Sequence, residues 1–215
     1  MGLVTLDLPA PGQMRGRWAA FAAICAARGW GDMCRADGPV WHFDDGGGNW
    51  ADLHHLGAAR AVLTGYDHEY SETYYGPAAE EFGEEQTDLL AGAPDWWHPV
   101  ARRSLDEKRY VGFVYGFEAD PVTGGRWQRA AYHTEDGFHS VGLPAVTLES
   151  TRESILEFTR EAPGLGGALP RPDAVDALIA ADGEVTAAQV TAVIGEGGAW
   201  DAEAGAAAAR RFRMH

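Results

Sequence analysis

The chain has 215 residues, 46% of them hydrophobic, with eight Trp, eight Phe and seven Tyr, so it can bury a substantial core and a disordered chain is excluded. Its formal net charge of −15 sets up a negative field that repels phosphate backbones and anionic lipid surfaces. Nucleic-acid and membrane partners are therefore not expected, a basic partner is favoured, and no stretch approaches the ~18 consecutive apolar residues of a membrane span.

The first residues, MGLVTLDLPAPGQ, lack the basic stretch and apolar run of an export signal, and Leu6 stands where myristoylation of Gly2 wants Ser or Thr. With Cys25 and Cys34 as the only cysteines, this predicts a cytoplasmic chain in a reducing compartment. One Lys stands against sixteen Arg among abundant Ala, Gly and Pro, the habit of a GC-rich bacterial genome.

Trp18, Phe21, Ala22 and Cys25 fall at helical spacing in MRGRWAAFAAICAARG, and Gly29 closes the run, which predicts a helix over 14–29. GPVWHFDD (38–45), NWADLHHL (49–56) and ARAVLTGYDHE (59–69) are aromatic and β-branched runs separated by GGG and GA, which predicts an antiparallel three-stranded meander. A helix follows from Pro77, with Glu80 and Glu81 near its positive end and Gly83 placed to divide it in two. The stretch 93–109, APDWWHPVARRSLDEKR, reads as partly helical with its Asp-Trp-Trp as an anchor.

A second strand group is expected at 109–120, 125–136 and 137–150, joined by PVTGG and EDG, before a capped helix beginning in STRESILEFTREA. The fold class this predicts is α+β in two layers: two antiparallel three-stranded meanders, open to forming one continuous sheet, packed by helices. A Gly- and Pro-rich linker at 163–172 suggests an α+β domain over 1–165 and a helical extension over 166–215. A faint echo between 14–92 and 94–162 raises an α-β-β-β-α duplication. In the extension, LIAADGEVTAAQV imitates half of a calcium loop but offers too few oxygens, and a helix hairpin turning at Asp-Gly is the better reading.

If the meander closes as tight hairpins, Asp67, His68 and Glu69 come near Asp44, Asp45 and Asn49 on one sheet edge. Gathered carboxylates call for a cation, so Asp44, Asp45, Asp67, His68 and Glu69 are candidate ligands for a divalent metal, the one cofactor considered. His68 and Glu69 are candidate catalytic groups there. His133 beside Glu135 or Asp136 is a candidate general base with its orienting carboxylate. The plainer reading is that these acids are solvated loop charges. Trp and Tyr dominate binding hot spots, which makes Tyr66, Tyr70, Tyr74, Tyr75 and Trp50 the candidate contact residues.

Phosphate loops, nucleophile elbows, zinc helices and Cys-x-x-Cys pairs are all absent from the sequence. The overall character looks like that of bacterial immunity or antitoxin proteins, a likeness of class that carries no residue motif. The first expectation is a non-enzymatic acidic protein that contacts a basic protein through the aromatic surface around 66–75 and 44–50. The alternatives are a metal-dependent hydrolase or small-molecule modifying enzyme at the Asp/His/Glu cluster, and a small-molecule binder with a Trp-lined pocket.

Overall fold

The computed structural model describes residues 2–214. Seven strands, β1 (Leu3–Leu6), β2 (Cys34–Asp37), β3 (Val40–Asp44), β4 (Trp50–His55), β5 (Arg60–Tyr66), β6 (Phe113–Glu118) and β7 (Arg126–Ala130), form one sheet in the order β1-β7-β6-β5-β4-β3-β2. The α+β class holds, while the expectation of two three-stranded meanders in two layers is corrected to one seven-stranded sheet. Two things account for the difference. The stretch 137–150 is not a strand: it turns at Gly137, whose φ is 79°, and its place beside β7 is taken by β1, paired from Leu3↔Ala130 to Leu6↔Trp127. Both β1 and β2 are four residues long, too short to carry a period-2 signal.

The chain divides into two compact units, one formed by the segment ending at Ala10 with Asp44–Leu143, the other by Pro11–Phe43 with Pro144–Met214. In the first unit all six residues of β4 and most of β5 are buried, so both faces of these strands are covered. Register places Trp50, Asp52 and His54 on the face shared with Tyr66, Thr64 and Val62. Against the same side of the sheet lie the short turn Asp95–Trp97 and α3 (His98–Asp106). Trp97 fits because β6 has Gly116 there: a Cβ at that position would lie 2.0 Å from the indole. The Asp-Trp-Trp segment is thus the sheet anchor the sequence predicts. Trp50, Val62, Leu89, Trp97, Val100 and Val114 make up most of this core, and α2 (Pro77–Phe82) ends at Gly83 instead of continuing past it.

In the second unit α1 (Pro11–Arg28) is buried over most of its circumference, which its run of alanines permits at close range. It packs against β2, α4 (Leu148–Thr159), α5 (Pro172–Ala180), α6 (Ala187–Ile194) and α7 (Ala202–Ala209). Trp18 meets Trp41 edge-on at 5.8 Å, and Trp41 meets Phe212 at 5.5 Å. Helix α4 starts three residues earlier than the sequence suggests, because Thr147 rather than Ser150 caps it. The Asp-Gly string is a helix hairpin: Asp182, with φ 48°, accepts from Arg15, and α6 opens on a Thr186–Gln189 capping box. Cys25 and Cys34 are free thiols; burial pushes Cys25 up to about 12 and Cys34 well above its ordinary value, which leaves both inert.

Candidate functional site

The hairpin tip 44–49 and the exit of β5 do meet. Asn49 Oδ1 accepts the His68 backbone N–H at 2.9 Å, and the His68 ring nitrogen Nδ1 lies 3.4 Å from the same oxygen. The carboxylates at this edge, however, are occupied by their own turns. Asp44 accepts from Gly46 N–H at 2.8 Å, and Asp45 accepts from the N–H of Gly47 at 2.7 Å and Asn49 at 3.1 Å. Asp67 is turned inward, 1% exposed, and caps the N–H groups of Glu69 at 2.9 Å and Tyr70 at 2.8 Å. Aspartate is short enough to bond its own backbone two residues on, and that use competes with ligation. Among the described residues no three His, Cys, Asp or Glu side chains are gathered to hold a metal ion. His68 and Glu69 stand exposed on this turn.

The candidate aromatics divide into three kinds. Trp50 is a core residue, with the Arg109 guanidinium stacked 3.9 Å over its ring. Tyr75 packs against the same core, and burial raises its phenol above the ordinary value. Tyr66 and Tyr74 belong to a half-exposed row of rings: Tyr66 to Tyr110 at 5.6 Å, Tyr110 to Phe82 at 5.4 Å, and Phe82 to Tyr74 at 5.9 Å. Tyr70 stands outside that row, 56% exposed on the turn.

Tyr74 also borders a groove of the first unit, about 690 Å³ in volume. Four carboxylates line it, those of Glu72, Glu84, Glu85 and Asp88, with Tyr74, Tyr132 and His133 and without any lysine or arginine. Its acidic lip is pinned to Tyr74, since Thr87 N–H donates to Tyr74 O at 2.9 Å. The opposite wall is pinned from below. The Tyr132 hydroxyl donates to Asp136 Oδ2 at 2.7 Å, the Tyr115 hydroxyl donates to the same oxygen at 2.6 Å, and Phe138 N–H donates to Oδ1 at 3.1 Å. Burial, and then the Asp136 charge, raise both tyrosines above the ordinary phenol value, so each remains a donor. The Ser71 hydroxyl donates to Asp136 O at 2.9 Å and Glu72 N–H donates to Glu135 O at 2.8 Å, tying the β5 exit to this wall.

Asp136, one of the two orienting carboxylates expected for His133, is therefore buried and committed to two tyrosines, while Glu135, the other, accepts from Gly137 N–H at 3.3 Å. His133 lies exposed on the groove. The acids that matter most for the groove's character, Glu84, Glu85 and Asp88, and the Tyr115 partner of Asp136, are not among the residues the sequence singles out. The only available signal is the density of acids in EEFGEEQTD immediately after the helix stop at Gly83. Such an arrangement presents a preorganised anionic surface to a cation. No known protein family, curated protein or solved structure matches this chain.

Proposed function

We propose that this protein is a non-enzymatic binder that takes a basic segment of a protein partner into the groove of the first unit, in the manner of a neutralising partner. The observation that carries the reading is the groove's lining: four carboxylates and two tyrosines, with no lysine or arginine among the lining residues. The charge of −15 steers a basic chain toward the molecule, and the ring of Tyr74, packed on Phe82, gives an arriving arginine a flat surface beside Tyr132, whose own ring already carries the Arg129 guanidinium at 4.1 Å. Because Asp136 locks Tyr132 beforehand, little side-chain freedom is lost on binding.

Fluorescence anisotropy of a labelled arginine-rich peptide, with an acidic peptide as control, tests this. The basic peptide should bind and the acidic one should not, and raising salt should weaken binding by about tenfold or more. Glu84→Gln with Glu85→Gln, or Tyr74→Ala, should cost about tenfold in affinity, whereas His68→Ala on the neighbouring turn should change it less than about twofold. Failure of the basic peptide to bind at low salt, or equal sensitivity to His68→Ala, sinks the proposal.

A further inference from the structure

A second pocket of the first unit, about 220 Å³, is lined by α2 and by the segment leaving α3. Its walls are apolar and fixed, since Tyr75 and Leu105 pack on the core and Ala78 is buried. Three charged residues line it, Lys108, Glu81 and Arg109, and the Arg109 guanidinium is already held by Glu107 and Asp52. Lys108 is the chain's only lysine and sits at φ 59°. It ends α3 in the motif where glycine is usual: its N–H donates to Leu105 O at 2.9 Å while Arg109 N–H donates to Ser104 O at 3.0 Å. A left-handed lysine is held there at a cost, and strained residues cluster at binding sites. Of the neighbouring arginines, Arg103 is paired with Glu107 at 3.0 Å and Arg109 with Glu107 at 2.8 Å and Asp52 at 2.7 Å. Among the described residues the Lys108 ammonium and the Glu81 carboxylate make no ion pair, and Glu81 takes only a hydrogen bond from Tyr110.

We infer that this pocket binds a small apolar α-amino acid as its zwitterion, with the ligand carboxylate on Lys108, the ligand ammonium on Glu81, and its side chain over Leu105, Ala78 and Tyr75. The charges decide the class. A net anion would enter against the molecule's field of −15, and a net cation would leave Lys108 unanswered. A neutral zwitterion satisfies both groups without either penalty. The volume lies below the ~300–1,000 Å³ of pockets that take drug-sized ligands, which limits the occupant to amino-acid size. This site is separate from the acidic groove and does not depend on the binding of a basic partner.

Calorimetric titration with L-phenylalanine, 3-phenylpropanoate and 2-phenylethylamine tests the inference, because the last two each lack one charge. Phenylalanine should bind about tenfold more tightly than either. Lys108→Gly should make phenylalanine no better than phenylethylamine, while raising the thermal midpoint by about 2–4 °C as the backbone strain is released. Glu81→Gln should make phenylalanine no better than phenylpropanoate. Equal binding of the three compounds, no binding of phenylalanine, or a preference for it that survives Lys108→Gly would each overturn the assignment; a lysine that merely ends the helix gives the stability gain alone.

Discussion

His54 shows how much a single buried side chain can weigh. It lies in β4, 5% exposed, and among the described residues its Nε2 has no hydrogen-bond partner. Burial pulls its imidazole down to about 4 from the ordinary 6.5; the charges that also act on it are Asp52 and Glu107, which raise it, and Arg103 and Arg109, which lower it. The folded value lies below the unfolded one, so between about pH 6.5 and 4 the unfolded chain binds the extra proton and stability falls as pH falls. Above about pH 7 the group contributes nothing to pH dependence. A gap of this size amounts to about 3 kcal/mol by pH 4. Denaturant unfolding of the wild type and His54→Leu at pH 7.5, 6 and 5 should show the variant gaining progressively on the wild type. A constant difference across that range would mean that the imidazole protonates inside the fold.

At the scale of elements, the groove depends on a carboxylate that never reaches it. Asp136 joins β6, through Tyr115, to the segment after β7, through Tyr132, and its own carbonyl takes the Ser71 hydroxyl from the β5 exit. Gly137 follows because a Cβ there would lie 2.4 Å from Ser71 Oγ and 2.7 Å from Asp67 Cβ. Asp136→Ala would leave two tyrosine hydroxyls without an acceptor in a buried region, at about 1–3 kcal/mol each. The loss should shrink markedly in the background of Tyr115→Phe with Tyr132→Phe, since the donors are then gone as well. Equal losses in both backgrounds would show that Asp136 acts through packing alone.

For the whole molecule, charge sets the balance. The chain carries 32 acids against 17 lysines and arginines, and the surface ion pairs, such as Arg60–Glu118 at 2.7 Å and Arg152–Asp176 at 2.7 Å, are exposed and individually worth little. Self-repulsion therefore outweighs them, and moderate sodium chloride should raise the thermal midpoint while weakening basic-peptide binding. A midpoint that drops with salt would show the ion pairs to be the larger effect. Much of the architecture was legible because it is local. The 3.6-residue spacing of Trp18, Phe21 and Cys25 marks α1, the aromatic runs around GGG and GA mark β3, β4 and β5, and Pro77 with Gly83 brackets α2. The pairing of β1 with β7 joins residues more than 120 positions apart, and no local pattern encodes it. Likewise the meeting of the hairpin tip with the β5 exit, at Asn49 and His68, follows from the sequence pattern, but not that Asp44, Asp45 and Asp67 would each bond backbone N–H groups of their own turns.

By itself the sequence determined the α+β class, the acidity and the places of α1, α2, β3, β4 and β5, since these are sums over residues or patterns within a few turns of chain. Only the tertiary structure decided that the strands make one sheet, that Asp136 lies inside between two tyrosines, and that Glu72, Glu84, Glu85 and Asp88 line a common groove. Those outcomes depend on which distant segments compete for the same edge or hydrogen bond, and that competition is resolved only when the chain is packed.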